Sequence, residues 1–323
     1  MNQPKTMRAV QYDQFGPAEV LYVAEGPIPS VAEDGVLVKV HGASISGGES
    51  TIREGKVALF MGKKFPARVG VDFSGVVEAV GPRTSGSIKP GDSVWGIMPH
   101  GTFGAIAEFV SVPESRLALA PCNLGLLEAA ALPSVGTTVI RALSKEANLQ
   151  KGERLLIRGA GGGVGSTAIQ YAKSLGAKIV AISGASTLTW LRELGADDAV
   201  DHRSTSLRAL GRFNVILDTV GTEMGTMRQM LTPDGRMVEL GFDSDHILRS
   251  MLYILGTTVF GSRRIRAFSN NPLPSEIAQL TAVVEDGVMK PLVDKFWDIE
   301  HIVDAYKTVE RGGVRGKHVV RIV

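Results

Sequence analysis

The chain has 323 residues, enough for two domains of ordinary size, and its content of 44% apolar and 21% charged residues is typical of a soluble globular protein. Lysine and arginine together number 35 against 33 aspartate and glutamate residues, so the charge balance argues against a nucleic acid partner. No apolar run reaches the roughly 18 residues that a membrane-spanning helix needs, so we expect no membrane partner either.

The first third of the chain is predicted to consist of short β-strands. Valine-rich runs bounded by glycine or proline cover residues 35–40 and 73–80, and another short run over 93–95 follows the turn Pro90-Gly91-Asp92. Strands as closely spaced as these indicate a small barrel or sandwich.

The N-terminus and the cysteine content bear on cellular location. The segment from Met1 to Arg8 is polar and lacks the apolar region of a secretory signal. Cys122 is the only cysteine, so no disulfide can form within the chain. Both features favour a reducing compartment, and we expect a cytoplasmic protein.

Beyond residue 124 the pattern changes to alternating helices and strands. The predicted elements are helices over 126–132 and 137–147, a strand over 155–157, a helix over 164–175, a strand over 179–182, a helix over 188–194 with Ser186 as its N-cap, strands over 215–217, 237–240 and 257–260, a helix over 275–286 and a last strand over 317–323. The strands are mostly apolar on both faces, which is typical of a parallel sheet covered by helices. We therefore predict an α/β fold, a doubly wound parallel sheet of the Rossmann type beside the β-domain.

A glycine-rich loop follows the strand over 155–157. It contains Gly159, Gly161, Gly162, Gly163, Val164 and Gly165, and it leads into the predicted helix. Glycines allow a tight turn and a close backbone approach to a ligand, and a helix N-terminus attracts a pyrophosphate. The pattern predicts a dinucleotide site; the alternative is a tight turn that binds nothing.

The end of the second strand indicates which dinucleotide binds. An NAD site usually carries an acidic residue there, but this chain has small residues, among them Ser183, Gly184, Ser186 and Thr187. They leave room for a 2′-phosphate, and Arg203 could supply the cation, with Arg192 as a weaker candidate. We therefore predict NADPH as the cofactor.

Several segments together resemble the medium-chain dehydrogenase/reductase superfamily, in its zinc-free quinone oxidoreductase (zeta-crystallin-like) branch. The segments are Met7–Val10, Gly70–Val77, Lys89–Gly96, Leu132-Pro133 with Thr138, the glycine loop, Leu194–Asp197, Asp218–Gly221 and Gly316–His318. The resemblance implies a GroES-like β-barrel catalytic domain, a Rossmann domain and a cofactor cleft between them. We expect the GroES-like domain over 1–123, the Rossmann domain over 124–289 and a return to the catalytic domain over 290–323.

The resemblance also bears on metal binding. Zinc dehydrogenases of the superfamily carry a His-Glu pair where this chain has Val71 and Asp72, and an early cysteine that is missing from residues 41–55. A catalytic zinc would lack its ligands, and one cysteine cannot form a four-cysteine zinc lobe. We expect no metal.

The family's first pocket loop differs here, since Ser46 replaces the usual asparagine and Gly47 the usual proline. Ser46, Ser44 and Thr138 are candidate catalytic hydrogen-bond donors, and Arg53 could add charge. The alternatives are serines that form turns, a threonine that caps a helix, and a surface ion pair between Glu49 and Arg53, which we favour.

Further coenzyme contacts are expected beyond the glycine loop. The family's usual 2′-phosphate lysine aligns with Thr187 and its usual tyrosine with His202. Residues at the carboxyl ends of later strands should border the nicotinamide: Thr219, Val220, Gly241 and Phe242, although Phe242 could instead pack in the core. Lys317 is included among the cofactor-binding residues, with a solvated or structural lysine as the alternative.

These features predict a quinone or enone reductase acting on a small-molecule acceptor, with direct hydride transfer and no zinc. One alternative is an enoyl-thioester reductase, because Arg263, Arg264 and Arg266, in an expected turn after the last strand of the sheet, could steer an anionic substrate. Another is a dinucleotide-binding protein without turnover. The resemblance implies a homodimer formed across a sheet edge, for which residues 257–261 are the candidate.

Overall fold

The structure is a computed structural model, and it describes residues 6–58, 64–242, 247–259 and 263–323. The chain forms two compact units, each discontinuous in sequence. Unit one comprises Met1–Thr137, Asn271–Gly312 and Lys317–Val323, and unit two comprises Thr138–Asn270 and Gly313–Gly316. The predicted limits at 123/124 and 289/290 concern family domains rather than compact units and stay a prediction.

The strands of the described residues are β1 Thr6–Tyr12, β2 Tyr22–Pro27, β3 Gly35–Ile45, β4 Ala67–Arg68, β5 Asp72–Val80, β6 Ser93–Ile97, β7 Phe109–Pro113, β8 Leu117–Leu119, β9 Arg154–Arg158, β10 Lys178–Ser183, β11 Asp198–Asp201, β12 Phe213–Asp218, β13 Leu231–Glu239, β14 Ile265–Ala267, β15 Val293–Asp298 and β16 Lys317–Arg321. The helices are α1 Gly48–Arg53, α2 Leu126–Ala129, α3 Pro133–Ile140, α4 Gly163–Ser174, α5 Leu188–Leu194, α6 Met224–Gln229, α7 Ile247–Val259, α8 Pro274–Glu285 and α9 Ile302–Glu310. A π-helical turn, Arg141–Glu146, follows α3, and short 3₁₀ turns cover Ala18–Val20, Glu114–Arg116, Ala185–Thr187, Leu207–Leu210 and Ile299–His301.

Unit two contains the parallel sheet that the sequence predicts. Its described strands lie in the order β11-β10-β9-β12-β13-β14, all parallel. The chain therefore steps outward from β9 in one direction and then in the other, which is the strand order of the Rossmann fold. Leu156, Ile216 and Met237 are fully buried in its core. In such sheets ligands bind at the carboxyl ends of the strands, beside the first strand.

Unit one contains two sheets whose strand pairs are antiparallel, except that β15 runs parallel to β16. A large sheet has the order β15-β16-β3-β5-β6-β8, with β7 also paired to β3, and a small sheet has the order β2-β1-β4. Its core includes Phe73, Val94 and Val320, none of which is exposed. β16 brings the C-terminal segment back beside β3, with Val319 opposite Ser44, as predicted for the last strand.

Three predictions about local structure are wrong. Residues 257–259 do not begin a strand, since they close α7, and Phe260 lies outside the described residues. The N-cap of α5 is Thr187 rather than Ser186, because the 3₁₀ turn Ala185–Thr187 precedes the helix. Thr138 is not at a helix start, since α3 begins at Pro133.

The arginine-rich segment also differs from expectation. Ile265 and Arg266 belong to β14, so this segment is not simply a turn after the last strand. Strand β14 is the last in the sheet order, in the place that residues 257–261 were expected to take. None of the described helices is long and apolar enough to cross a membrane.

Candidate functional site

The glycine loop joins β9 to α4 in unit two. Gly159 has φ +75°, and a Cβ there would lie 2.1 Å from Thr219 Oγ1; a Cβ on Gly165 would lie 2.4 Å from the Gly159 carbonyl oxygen. Only glycine fits these two positions. Gly162 is the N-cap of α4 and provides no side-chain cap, so the first amide groups of this 12-residue helix can bind an anion.

The end of β10 forms a compact turn beside this loop. Thr187 Oγ1 donates to the Gly184 carbonyl at 2.9 Å and lies 2.8 Å from Ser183 Oγ, within hydrogen-bond distance. Thr187 is buried, whereas Ser183 and Gly184 are half-buried and Ser186 is exposed. A Cβ on Gly161 would lie 2.7 Å from Ser183 Oγ, so the two segments are in contact. Thr187 therefore shapes the turn, and Ser183 and Ser186 present its accessible polar groups.

The end of β11 lies against the same turn. The backbone amide of His202 donates to the Ser183 carbonyl at 3.1 Å, and His202 Nδ1 lies 2.9 Å from the same oxygen. Arg203 follows with an exposed side chain, while Arg192 bonds instead to the Ala199 carbonyl at 2.5 Å. The structure thus brings His202 to Ser183 and leaves the Arg203 side chain exposed. Arg315 is exposed as well, and its Nη2 donates to the Ser186 carbonyl at 2.9 Å.

The ends of β12 and β13 complete this edge. Thr219 Oγ1 donates to the Arg158 carbonyl at 2.9 Å, and a Cβ on Gly241 would lie 2.6 Å from Val220. Val220 is 42% exposed and Phe242 is 41% exposed, so the interpretation of Phe242 as a core residue is wrong. Thr219 and Gly241 therefore lie in close contact, with two exposed apolar side chains beside them.

Sequence reasoning missed a charged group beneath these loops. Arg158 Nη1 lies 3.2 Å from Asp218 Oδ2, and Asp218 Oδ1 accepts hydrogen bonds from the amides of Val220 and Gly221 at 2.8 and 3.3 Å. Glu239 is fully buried at the end of β13. The three charged residues are the last residues of β9, β12 and β13, at or next to the ends of predicted apolar strands, and that shared position is the signal that could have identified them.

Burial, and then the neighbouring Asp218 carboxylate, raises the pKa of Glu239 to about 9. Burial also raises the pKa of Asp218, but the Arg158 charge and the two amides oppose that effect. Glu239 therefore carries the proton of this pair at neutral pH.

In unit one, a group that we call the Asp72 cluster gathers residues from three adjacent strands and one helix. Its members are Ser44, Ser46, Asp72, Ser134 and Lys317. Asp72 Oδ2 accepts from Ser44 Oγ at 2.7 Å and from Ser134 Oγ at 3.0 Å, and Asp72 Oδ1 accepts from the Ser134 amide at 2.7 Å. The Asp72 carboxylate therefore caps the N-terminal turn of α3, where negative charge is favourable.

Lys317 completes the Asp72 cluster. Its ammonium nitrogen lies 2.9 Å from Ser46 Oγ and 3.5 Å from Asp72 Oδ2, and its side chain is only 7% exposed. The alternative of a solvated lysine is therefore wrong. Asp72 and Ser134 were not among the predicted site residues, although Asp72 follows the missing histidine position of the family motif.

The favoured surface ion pair between Glu49 and Arg53 is wrong. Both side chains are buried, and each has other partners. Glu49 Oε2 accepts from Tyr306 Oη at 2.6 Å and from the Gly70 amide at 3.0 Å, whereas Arg53 Nη2 donates to Glu310 at 2.8 Å. Burial raises the pKa of the Glu49 carboxyl, which the Tyr306 hydrogen bond only partly offsets.

The structure also shows where Thr138 and the arginine-rich segment lie. Thr138 lies within α3 and belongs to unit two. In the arginine-rich segment, Arg263 Nε donates to the Thr232 carbonyl at 3.3 Å and Arg266 donates to the Glu146 carbonyl. Two of these three arginines thus donate hydrogen bonds to backbone carbonyls rather than to a ligand. This does not favour the alternative of an enoyl-thioester reductase.

Across residues 6–58, 64–242, 247–259 and 263–323, no group of three or more histidine, cysteine, aspartate or glutamate side chains could hold a metal ion.

Comparison with known proteins identifies the family. Residues 32–122 match the alcohol dehydrogenase GroES-like domain, and residues 194–320 match the zinc-binding dehydrogenase family. The human NAD(P)H oxidoreductase RTN4IP1, mitochondrial, is 32% identical and covers 98% of this chain and 89% of its own length. The 2-methylene-furan-3-one reductase of Solanum lycopersicum is 31% identical, with coverage of 98% and 79%.

A solved structure agrees with these relatives. The Escherichia coli quinone oxidoreductase complexed with NADPH has a TM-score of 0.86 and 25% identity to this chain, covering 97% of this chain and 99% of its own. Both sequence and fold are thus shared over nearly the full length. The chain belongs to the medium-chain dehydrogenase/reductase superfamily, in its quinone oxidoreductase branch.

Proposed function

We propose that this chain reduces quinones or α,β-unsaturated carbonyl compounds with NADPH, by direct hydride transfer without zinc. The proposal rests above all on the glycine loop of unit two, where Gly159 and Gly165 leave no room for a side chain. It is supported by relatives that are named a quinone oxidoreductase and a furanone reductase.

The coenzyme-binding residues of the proposal lie at one edge of the parallel sheet. They are Gly159, Gly161, Gly162, Gly163, Val164, Gly165, Ser183, Gly184, Ser186, Thr187, His202, Arg203, Thr219, Val220, Gly241 and Phe242. The loop amides bind the pyrophosphate, and the exposed Arg203 binds the 2′-phosphate. No acidic side chain follows β10 directly, so the Ser183–Thr187 segment itself carries no negative charge that would repel this phosphate.

The sequence supports a site without zinc. Val71 has no donor atom at the position where zinc dehydrogenases place a histidine, and residues 41–55 contain no cysteine. A catalytic zinc needs three protein ligands. The acceptor must therefore be activated by its own conjugation and by hydrogen bonds.

When bound, NADPH supplies a hydride from C4 of its nicotinamide ring. As the acceptor gains this hydride, negative charge develops on its carbonyl oxygen, and Ser46 donates a hydrogen bond to that oxygen. Ser44 and Arg53 are less suited to this role, because both side chains are fully buried and bond to Asp72 and Glu310 respectively. Water supplies the proton that completes the reduction.

The proposal is tested by following NADPH oxidation with 1,4-benzoquinone, phenanthrenequinone, 2-hexenal and crotonyl-CoA. We expect turnover of quinones or the alkenal and a kcat/KM for NADPH well above that for NADH. Turnover of crotonyl-CoA alone would point to a thioester reductase. Tight NADPH binding without any turnover would point to a non-catalytic dinucleotide-binding protein.

We also propose a cytoplasmic homodimer. The single cysteine, Cys122, is compatible with a reducing compartment. Strand β14 ends the described strand order of the unit-two sheet, so it is the candidate for pairing with a second copy. Light scattering coupled to size-exclusion chromatography tests the dimer, and a monomeric mass at micromolar concentration would contradict it.

A further inference from the structure

The starting point is the buried ammonium group of Lys317. A charged amine loses its hydration when it is buried, so it needs polar partners nearby. In the described part of the chain Lys317 has two, Ser46 Oγ at 2.9 Å and Asp72 Oδ2 at 3.5 Å. The backbone register explains why these residues meet: in the β16–β3 pair His318 lies opposite Ile45, and in the β3–β5 pair Ser44 lies opposite Asp72.

The two contacts of Lys317 are not equivalent. Asp72 already accepts three hydrogen bonds from neutral donors, namely Ser44 Oγ, Ser134 Oγ and the Ser134 amide. Its distance to the Lys317 ammonium is the longer of the two. The shorter hydrogen bond of the lysine therefore goes to Ser46, and Asp72 balances the charge.

This contact constrains the Ser46 hydroxyl. A lysine ammonium has three donors and no acceptor, so Lys317 must donate and Ser46 Oγ must accept. The hydroxyl hydrogen of Ser46 then points away from the lysine. Within the described part of the chain no protein group accepts that hydrogen, and Ser46 is half-buried rather than enclosed. Ser46 is thus left with a donor directed outward.

We propose that Lys317 is a positioning residue that orients and polarises Ser46 as the hydrogen-bond donor to the acceptor's carbonyl oxygen. This inference rests on the proposed function, since it assigns a role to a second residue in the same reaction. A hydroxyl that accepts a bond from a cation is a stronger donor, because bonds in a chain polarise one another. The gain is largest when the carbonyl oxygen becomes negative, so Lys317 increases kcat more than it lowers KM.

The experiment is a double-mutant cycle with Ser46→Ala, Lys317→Met and the double variant. The readouts are kcat and KM for 2-hexenal at saturating NADPH, and the Kd of NADPH by fluorescence titration. We expect each single variant to lower kcat by about 100-fold, the lower end of the loss that removal of one oxyanion donor causes. The double variant should be no more than about threefold below either single variant, because Lys317 acts through Ser46.

Two controls accompany the cycle. Lys317→Arg keeps a cationic donor and should recover part of kcat, whereas Lys178→Met removes an exposed lysine from the start of β10 and should leave kcat unchanged. Loss of Lys317 leaves Asp72 as a buried charge and can impair folding. In that case Asp72→Asn is compared with Asp72→Asn/Lys317→Met, which lacks both charges. The comparison is made once with Ser46 present and once with Ser46→Ala added to both variants.

Each outcome decides one idea. If Ser46→Ala keeps full kcat, the role of Ser46 in the proposed function fails. If Ser46→Ala lowers kcat but Lys317→Met does not, or if the two losses multiply, only the inference about Lys317 is overturned. If Lys317→Met raises the Kd of NADPH and leaves kcat intact, the lysine binds coenzyme instead.

Discussion

At the level of single residues, the least expected feature is the pair of acidic residues Asp218 and Glu239, which lie near Arg158. Arg158 lies 3.2 Å from Asp218, while Glu239 Oε2 is buried and has no hydrogen-bond partner among the residues that the structure describes. Because the pKa of Glu239 is about 9, this carboxyl is protonated at neutral pH and titrates far above its ordinary value of 4.5. The charge on Asp218 then faces the Arg158 guanidinium, which also lies 3.0 Å from Glu223 Oε2.

This arrangement predicts how stability depends on pH. A carboxyl whose pKa is raised on folding stabilises the folded state fully below pH 4.5, and that contribution is lost as the pH rises toward 9. The loss has a limiting slope of about 1.4 kcal/mol per pH unit. Glu239→Gln is neutral at every pH, so its unfolding free energy should fall less between pH 5 and 9 than that of the wild type.

Urea unfolding at pH 5, 7 and 9 measures this difference. The matched control is Glu193→Gln, which changes an exposed glutamate on α5 and should keep the wild-type pH dependence. Parallel profiles for Glu239→Gln and the wild type would show that Glu239 does not hold a proton in the folded chain.

A second prediction concerns Gly159. Gly159→Ala would adopt a left-handed φ of +75° and place its Cβ 2.1 Å from Thr219 Oγ1, so the loop must shift. We expect the Kd of NADPH to rise at least about tenfold, because loop amides would leave their positions around the pyrophosphate. Gly152→Ala has φ +83° but open space around its Cβ, so it isolates the conformational cost. Equal Kd values for both variants would contradict the loop's role.

At the level of elements, the strands of the parallel sheet follow from sequence because each is a short apolar run between turn residues. Residues 257–259 show where this reasoning fails. Thr257, Thr258 and Val259 favour strands locally, but they close the helix α7. In the helix Thr257 Oγ1 donates to the Ile254 carbonyl at 2.8 Å, which satisfies its hydroxyl without a strand partner. Local strand propensity does not account for a hydrogen bond from the side chain to the backbone of the preceding helical turn.

The position of the C-terminal strand β16 in unit one leads to a testable prediction about stability. It pairs with β15 on one side and β3 on the other, and Val320 is fully buried in the core. Val320→Ala should lower the unfolding free energy by about 2 kcal/mol, through lost burial and a cavity. Val323→Ala, at a position that is 53% exposed, should change it by less than about 0.5 kcal/mol. Comparable losses in urea unfolding would mean that β16 is not a core strand.

At the level of the whole molecule, both units are assembled from distant parts of the chain. The glycine loop could be predicted because strand, loop and helix are consecutive. The Asp72 cluster could not, since Ser46 and Lys317 are 271 positions apart and meet only through strand pairing. The sequence around Lys317, a lysine after a glycine, does not indicate which residue its ammonium group contacts. Whether that charge can be buried depends on this contact. Contacts of this kind require the fold.

Coenzyme binding should therefore be visible in the stability of the entire chain. NADPH at 100 times its Kd stabilises the state that binds it by about 2.7 kcal/mol, which for a chain of this length corresponds to a rise in melting temperature of about 4 °C. NADH at the same concentration should produce a clearly smaller rise, because the exposed Arg203 has no 2′-phosphate to contact. In Arg203→Ala the two coenzymes should shift the melting temperature nearly equally, whereas Arg192→Ala, whose guanidinium bonds to the Ala199 carbonyl, should keep the wild-type difference. If NADH matches NADPH in the wild-type protein, Arg203 does not select the coenzyme, and the small residues after β10 do not suffice to exclude NADH.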